Sequence, residues 1–349
     1  MTPSRVVAFA PGRANLIGEH TDYNDGLSLP FAIEQGVRVT AVPSAAADLV
    51  VRSVDHHQEQ QFPLTGLPTA RFGDWRDFVR GAIGELSAAG FELRGGELEI
   101  DGSVPEGGGL SSSAALEVAL CMALIALSGA PEPTDRIALS RLCSRIENQW
   151  VGARTGLLDQ LASLLGTEEH ALRIDFRTLE TRSVPLHLGS WRLITIDSCE
   201  PHSLAASGYN ERRAECERAR GLLGLESLRD ARIEDLERLP DPLGRRVLHV
   251  IEENARVDAA VTALQSDDLA ALAPLLDASH RSLRDLFDAS TPAVERAVAR
   301  VLAAGAAGAR MMGGGFGGQV IALMPPGTEV PERAREVAPA AGARLLEAV

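Results

Sequence analysis

The sequence predicts an α+β protein built from two lobes. Its 349 residues exceed the size at which a single hydrophobic core usually stops growing, which favours two domains or two fused lobes. Short apolar or alternating segments that end at Pro, Gly or polar residues predict strands in both halves of the chain. Longer segments with apolar residues at helical spacing lie among them, so each half mixes both kinds of element. We expect the lobes to meet near residues 170–195.

These patterns also predict the individual elements. Strands are expected at residues 6–10, 37–42, 97–100, 191–197 and 319–323. Helices are expected at residues 112–128, 135–151, 155–165, 207–225, 240–265 and 290–304. No internal repeat or long low-complexity linker separates the halves, so the boundary is approximate. We assign residues 1–180 to the N-terminal lobe and residues 181–349 to the C-terminal lobe.

The composition excludes several kinds of partner. A net charge of −14 repels polyanions, and no block of five or six like charges forms a basic arm. We therefore expect neither nucleic acid nor an anionic membrane as a partner. The longest apolar run, residues 114–130, is interrupted by Glu117 and is shorter than the ~20 residues that a membrane span requires. The N-terminus lacks a signal-peptide pattern, so we expect a cytoplasmic protein.

The basic residues narrow the chemistry. All 34 are arginine, and the chain contains no lysine. A Walker A loop, a protein-kinase site and a Schiff-base enzyme each need a lysine, so these classes are excluded. The base composition of the genome is sufficient to explain why arginine replaces lysine. The three classes are excluded whether the cause is genomic or functional. Any substrate phosphate must therefore be met by backbone amides, arginines or a divalent metal.

A glycine-serine segment at residues 104–115, VPEGGGLSSSAA, is the strongest local signal of function. Glycines let the backbone turn sharply beside a ligand, and the following helix N-terminus offers free amides and a positive dipole end to phosphate oxygens. An ordinary capped helix is the alternative, because Ser is a favoured N-cap. Three glycines and three serines together favour phosphate binding. They indicate an ATP-dependent kinase for a small hydroxylated metabolite.

A second glycine run, GGGFGG at residues 313–318, precedes a predicted strand. One interpretation is a flexible hairpin or a bulge. The other is a backbone segment that packs close to a substrate or to the first glycine-serine segment. Five glycines around one phenylalanine favour the second interpretation.

Polar residues cluster directly after the first predicted strand, at residues 12–23, GRANLIGEHTDY. A simple polar loop is the first interpretation of Glu19, His20 and Asp22. A sugar site, however, needs clustered donors and acceptors, because each hydroxyl can both donate and accept a hydrogen bond. Such a site can reject an epimer, since the wrong hydroxyl leaves buried polar groups unpaired.

Two carboxylates lie in predicted helices. Glu147 borders the apolar stripe of its helix, so it should be partly buried, and a buried carboxylate usually pairs with a cation or binds a metal. Asp159 lies in the first turns of its helix, where the dipole favours the ionised form. From spacing alone, simple charge complementarity at the helix start is sufficient to explain Asp159.

The order of these motifs resembles that of the galactokinases of the GHMP small-molecule kinase superfamily. The segment VPEGGGLSSSAA resembles the superfamily signature, and GRANLIGEHTDYNDG resembles the more selective galactokinase signature. Further similarity runs through IENQWVG, TGLLDQLAS, HSLAASGYNERRAECE and GARMMGGGFGG, so the resemblance covers nearly the whole chain. It implies an α+β, two-lobed GHMP-kinase-like fold, with an N-terminal ribosomal-protein-S5-domain-2-like lobe and a C-terminal ferredoxin-like lobe.

The resemblance also implies ATP-dependent phosphorylation of D-galactose at the C1 hydroxyl, by a monomer that uses Mg²⁺. By similarity, Asp159 accepts the proton of that hydroxyl and Arg13 stabilises the developing charge. The implied sugar ligands are Glu19, His20, Thr21, Asp22 and Tyr209. The implied ATP-binding residues are Ser53, Trp75, Gly107, Gly108, Gly109, Leu110, Ser111, Ser112 and Ser113. Ser113 and Glu147 are the implied ligands of Mg²⁺.

Other functions remain open. One alternative is a related sugar kinase that acts on galacturonate, arabinose or N-acetylgalactosamine. A second is a non-catalytic sensor of galactose and ATP, although Ser112 and Ser113, in a stretch that such sensors are expected to lose in part, are intact here. The chain also differs from the family at its ends, with only nine residues before Ala10 and a last segment GARLLEAV where a further strand is usual. We expect this missing strand to loosen the second lobe.

Overall fold

The computed structural model describes residues 4–67, 71–104, 109–153, 155–200 and 205–348. The strands are β1 (Val6–Asn15), β2 (Leu27–Ser28), β3 (Pro30–Pro43), β4 (Asp48–Ser53), β5 (Gln58–Pro63), β6 (Gly96–Gly102), β7 (His170–Asp175), β8 (Glu180–Pro185), β9 (Arg192–Asp197), β10 (Gly308–Met311), β11 (Gln319–Met324), β12 (Arg335–Val337) and β13 (Arg344–Ala348). The helices are α1 (Trp75–Ala88), α2 (Ser112–Leu127), α3 (Arg136–Arg145), α4 (Leu158–Leu165), α5 (Ala205–Leu223), α6 (Leu243–Gln265), α7 (Leu269–Asp285) and α8 (Pro292–Ala303). A π-helix, Ile146–Val151, continues α3 directly.

The first core lies between α2 and a six-stranded sheet. The sheet has the order β13-β1-β3-β6-β4-β5, and β4 and β6 are its parallel pair. Helix α2 is apolar on all sides and almost completely buried, as expected for a helix enclosed by other elements. Its burial fixes the N-terminus of α2, and with it the end of the glycine-serine segment, at the edge of the sheet.

The second sheet has the order β10-β11-β9-β12. Its apolar residues and those of α5, α6, α7 and α8 form one buried cluster. A further cluster joins the two halves, because it contains Leu16 and Phe31 from the first half as well as Val257, Leu272 and Ile321 from the second. The loop after β1 therefore packs against α6 and α7, and a cleft between the halves is the natural place for a site.

Most of the predicted elements are confirmed, with shifted ends. The helix predicted at residues 155–165 begins only at Leu158, and the one predicted at residues 135–151 divides into α3 and the π-helix. The sequence patterns missed the strands β2, β4, β5, β7, β8, β10, β12 and β13 and the helices α1 and α7. Strand β5, QEQQFP, has few apolar residues because it is an edge strand with one solvated face.

The expectation of a missing last strand is wrong. Arg344–Ala348 forms β13, which pairs antiparallel with β1, with Val6 opposite Ala348. This strand belongs to the first sheet and so supports β1 rather than the second lobe. The boundary near residue 180 stays a prediction.

None of the helices formed by the described residues combines the length and the hydrophobicity that a transmembrane helix needs.

Candidate active site

A cavity of about 350 Å³ lies in the cleft between the two halves. It is enclosed by β1 and the loop that follows it, the start of α4, the first part of α5 and the second glycine run. The predicted catalytic residues and all but one of the predicted sugar ligands line this cavity, namely Arg13, Asp159, Glu19, His20, Asp22 and Tyr209. We call it the sugar cavity.

Arg13 and Asp159 form a partly buried ion pair on one wall of the sugar cavity. Nε of Arg13 donates to Oδ1 of Asp159 at 2.7 Å, and Nη2 donates to Oδ2 at 3.0 Å. Such a bidentate pair fixes the plane of the carboxylate as well as its distance. Nη1 of Arg13 donates to the carbonyl of Gly109 at 2.8 Å. The pair is thereby tied to the end of the glycine-serine segment.

Close backbone packing places Arg13 there. The amide of Arg13 donates to the carbonyl of Leu110 at 3.1 Å. A Cβ atom on Gly12 would lie 2.4 Å from that same oxygen, so only glycine permits the approach. The side chain of Leu110 is buried in the apolar core, so only the backbone of this residue is available to a nucleotide.

Ser111 contacts the Asp159 carboxylate. Its backbone is left-handed, with φ of 60°, and its hydroxyl makes no N-cap hydrogen bond to α2. Instead, Oγ donates to Oδ2 of Asp159. The predicted role of Ser111 was ATP binding, whereas the structure directs its side chain to the proposed base.

Burial keeps His20 uncharged. Desolvation, aided by the neighbouring His249, lowers the pKa of His20 to about 3. Nε2 of His20 lies 3.1 Å from the carbonyl of Gly314, which can only accept, so this nitrogen carries the proton. Nδ1 then accepts from the hydroxyl of Tyr23 at 2.8 Å. Both ring nitrogens are therefore bonded to the protein.

Asp22 and Tyr209 line the same cavity as the ion pair. Burial is the main cause that raises the pKa of Asp22 to about 6, and the charges of Asp159 and Glu19 raise it further. A Cβ atom on Gly156 would lie 1.9 Å from Oδ2 of Asp22, so the chain before α4 packs directly against this carboxylate. Burial also raises the pKa of the Tyr209 hydroxyl well above 10, so it is a neutral donor or acceptor.

Thr21 does not line the sugar cavity. Its hydroxyl lies within 3.1 Å of the carbonyls of Gly18 and Leu27 and 3.0 Å from the hydroxyl of Ser28. These bonds close the loop after β1 on itself. The geometry therefore does not support the expected contact between Thr21 and a sugar.

A second cavity, of about 290 Å³, lies on the other side of the segment 109–113. We call it the nucleotide cavity. It is lined by the predicted residues Ser53, Trp75, Ser112 and Ser113, and also by Asp55, His56 and Phe78, which the sequence did not indicate. The rings of His56 and Trp75 are stacked with centroids 6.4 Å apart. Gly107 and Gly108 lie outside the described residues.

Glu147 is a buried carboxylate beside the N-terminus of α2. Its Oε1 accepts from the hydroxyl of Ser113 at 2.9 Å, and its Oε2 accepts from Thr155 at 2.7 Å and from Gln160 at 3.1 Å. Burial is the main cause that raises its pKa, and no arginine is among the groups that offset this effect. A carboxylate in such a position favours an added cation. Ser113 and Glu147 therefore fit a small divalent ion, although the described residues contain no group of three or more His, Cys, Asp or Glu side chains that could hold a metal alone.

The second glycine run closes the sugar cavity, which all five of its glycines line. A Cβ atom on Gly314 would lie 2.8 Å from the ring of Tyr209. A Cβ atom on Gly109 would lie 3.5 Å from the side chain of Gln319, at the end of the run. The run thus lies close both to the cavity and to the first segment, as the second interpretation of the sequence expected.

Comparison with known proteins identifies the family. The galactokinase galactose-binding signature matches residues 2–43, the N-terminal domain of GHMP kinases matches residues 77–167, and their C-terminal domain matches residues 260–344. A galactokinase of Thermotoga neapolitana is 40% identical over 319 residues, which are 91% of this chain and 89% of the relative. The chain belongs to the galactokinase family. The resemblance noted from its motifs is confirmed.

Solved structures agree with membership of the galactokinase family. The galactokinase of Lactococcus lactis, solved in complex with galactose, superposes with a TM-score of 0.89 at 30% identity, covering 98% of this chain and 95% of that one. The mevalonate kinase of Methanococcus jannaschii superposes with a TM-score of 0.71 at 16% identity, covering 96% and 98%. The second match shows the shared fold alone. The predicted two-lobed GHMP-kinase fold is confirmed.

Proposed function

We propose that this protein transfers the γ-phosphoryl group of ATP to the C1 hydroxyl of D-galactose, giving galactose 1-phosphate and ADP. The observation that carries the proposal is the position of the Arg13–Asp159 pair, on the wall of the sugar cavity and bonded to the segment that borders the nucleotide cavity. A hydroxyl in one cavity and a phosphate chain in the other would meet there.

The sugar cavity suits a monosaccharide. Glu19 and Asp22 supply acceptors, and Tyr209 supplies a hydroxyl that can donate or accept. Because these groups are largely buried, a sugar that left one of them unpaired would bind less tightly. The Lactococcus lactis relative was solved with galactose, which makes this hexose the first substrate to test.

The nucleotide would lie over Trp75 and Ser53, with its phosphates directed to the N-terminus of α2. Free amides at that end and the hydroxyls of Ser112 and Ser113 can bind phosphate oxygens. This arrangement replaces the lysine of other kinases and agrees with a chain that has none. The GHMP kinase family itself implies ATP as the co-substrate.

Asp159 would accept the proton of the C1 hydroxyl through the carboxylate that Arg13 holds in plane. Phosphoryl transfer has a loose transition state, so alignment and charge neutralisation contribute more than the strength of the base. The Arg13 guanidinium, 2.7 Å from Oδ1 of Asp159, would lie beside the attacking oxygen and stabilise the charge that develops on it. Ser111 donates to Oδ2, which also accepts from Nη2 of Arg13, and so restricts rotation of Asp159 further.

Ser113 and Glu147 would hold Mg²⁺ with the phosphates of ATP. A bound Mg²⁺ neutralises phosphate charge during transfer. The hydrogen bonds from Ser113 and Thr155 to the two oxygens of Glu147 support this proposal, because they orient the carboxylate. The proposal also includes that the protein is a monomer and is located in the cytoplasm. Light scattering after size-exclusion chromatography would test the monomeric state by measuring the molar mass.

Release of ADP with a panel of sugars tests the proposal. Galactose, galacturonate, arabinose and N-acetylgalactosamine are each supplied with ATP and Mg²⁺, and ADP is measured by a coupled assay. We expect the highest kcat/KM with galactose. A higher kcat/KM with another sugar would make that sugar, and not galactose, the substrate. Binding of galactose and ATP without any ADP release would indicate a sensor and overturn the enzyme proposal.

A further inference from the structure

A buried arginine of β10, Arg310, lies directly behind the sugar cavity. Its side chain is 0% exposed. Nη1 donates to the carbonyls of Asn15 and Leu16 at 2.8 and 3.1 Å, and Nη2 lies 2.8 Å from Oε1 of Glu19. An arginine of the second sheet thus holds both the end of β1 and the first polar residue of the loop that follows it.

Arg310 and Glu19 form an ion pair without a directed hydrogen bond between them. The N–H bonds of Nη2 do not point at the carboxylate oxygen, and Nε is buried without a hydrogen-bond acceptor among the described residues. The directed hydrogen bond to Oε1 comes instead from the amide of Gly313, at 2.7 Å. Both partners use Oε1, so neither of them occupies Oε2.

The other groups around Glu19 do not replace this positive charge. Burial lowers the pKa of His20 to about 3 and that of His249, on α6, to about 4, so both are neutral. Arg13 also lowers the pKa of Glu19, less than Arg310 does, and it is bonded to Asp159 through two nitrogens. Asp22, in the same loop, repels a charge on Glu19. Glu253, on α6, accepts from the amide of Gly18 and is paired with Arg256.

Burial and the charge of Arg310 act in opposite directions on the pKa of Glu19. Desolvation raises its pKa, and the charge of Arg310 is the largest effect in the opposite direction. A buried carboxylate that loses its cation takes up a proton more readily. A protonated Glu19 would present a neutral acid to the sugar in place of a charged acceptor.

We infer that Arg310 is a positioning residue that holds Glu19 in place and keeps it ionised for binding the sugar, without touching the sugar itself. The inference rests on the proposed function, in which Glu19 accepts a hydrogen bond from a galactose hydroxyl. It goes beyond the residue roles that the resemblance implies, because none of them involves Arg310, which is 294 positions from Leu16 in the chain and belongs to a buried strand.

Arg310→Gln tests this inference, with KM for galactose, KM for ATP and kcat measured from pH 6 to pH 9. At pH 7 we expect KM for galactose to rise at least about tenfold and KM for ATP to change less than about twofold. KM for galactose should then fall as the pH rises, because Glu19 loses its proton. The double variant Arg310→Gln, Glu19→Gln should remove this pH dependence.

Two further variants separate a positioning role from a structural one. Arg310→Lys keeps the charge, so KM for galactose should stay within about threefold of the wild-type value at every pH. Arg80→Gln is the matched control, because Arg80 is also a buried arginine, 2.6 Å from its carboxylate partner Asp77, and it lies outside the sugar cavity. It should lower the melting temperature and leave KM for galactose unchanged.

Each outcome either supports or overturns the inference. If Arg310→Gln raises KM for galactose by the same factor at every pH, or does not raise it, the inference fails. If that variant shows no cooperative melting, Arg310→Lys decides, and a rise above about tenfold in its KM overturns the inference. Wild-type protein that released no ADP with galactose would instead contradict the proposed function.

Discussion

The guanidinium of Arg13 and the carboxylate of Asp159 face each other in one plane, joined by N–O distances of 2.7 and 3.0 Å. One residue belongs to a strand of the first sheet and the other to the first turn of α4. The geometry allows the pair to align a sugar hydroxyl and to stabilise charge on its oxygen.

Replacement of Arg13 by Lys should lower kcat strongly. A lysine keeps one positive charge but cannot make the two parallel bonds to Asp159 or the bond to the Gly109 carbonyl. We expect a loss of kcat on the order of 100-fold, a scale typical of a lost charge-stabilising donor. Steady-state kinetics at saturating galactose and ATP measures it. A kcat within about threefold of wild type would show that the bidentate geometry is not required.

Replacement of Glu147 by Gln should weaken the affinity for Mg²⁺ in the presence of nucleotide. The substitution removes the charge that we propose as the protein ligand, and a loss on the order of tenfold or more is expected. Calorimetric titration of the nucleotide complex with Mg²⁺ measures it without turnover. Glu117→Gln is the matched control, because Glu117 is also a buried carboxylate bonded to Gln160, and burial raises its pKa well above its usual range. Equal effects of the two changes would contradict the assignment.

Galactose binding should weaken at low pH. The pKa of Asp22 is raised to about 6 by burial, so its charge is present above that pH and is lost as the pH falls through it. If the charged form accepts a sugar hydroxyl, Kd should rise by up to about tenfold per pH unit below pH 6. Calorimetry without ATP from pH 8 to pH 5 measures this. The Asp22→Asn protein should bind weakly and without this pH dependence, and a wild-type Kd that is constant over the range would refute the role.

Replacement of Gly208 by Ala should disturb the sugar cavity from outside. The added Cβ would lie 2.6 Å from the ring of Phe316, which would have to move and take the second glycine run with it. We expect KM for galactose to rise. Gly221→Ala on the same helix is the control, since a Cβ there meets nothing within 4 Å. The Gly221→Ala change should stabilise α5 by roughly 0.5–1 kcal/mol and leave KM for galactose unchanged. Similar KM values for the Gly208→Ala and Gly221→Ala proteins would show that displacement of Phe316 does not affect the sugar cavity.

Local patterns in the sequence predicted much of the fold. Helix α2 was predicted within one residue of its ends, because a long apolar run with a serine-rich start has few alternatives. The helix that contains Asp159 was predicted to begin three residues too early. Residues 155–157 pack against Asp22 and the π-helix rather than forming a helical turn. The order of the strands could not be predicted, because the pairing of β13 with β1 joins opposite ends of the chain.

The candidate site was predicted where its residues lie in contiguous motifs. Arg13, Glu19 and Asp159 could be assigned by resemblance, and the structure brings them to one cavity. Arg310 belongs to the motif GARMMGGGFGG, but its role could not be predicted, because its partners are distant in sequence and only the fold brings them together. Thr21 and Ser111 show the opposite case, in which a motif residue directs its hydroxyl to the protein itself.

Carbon-13 NMR of the product tests the central claim most directly. Galactose labelled at C1 is incubated with ATP, Mg²⁺ and the wild-type protein, and with the Asp159→Asn protein as a control. We predict a phosphorus-coupled C1 resonance with the wild-type protein and none above background with the variant, although the variant binds galactose. Phosphorylation at another carbon, or a C1 phosphate formed at a similar rate by the variant, would contradict the account.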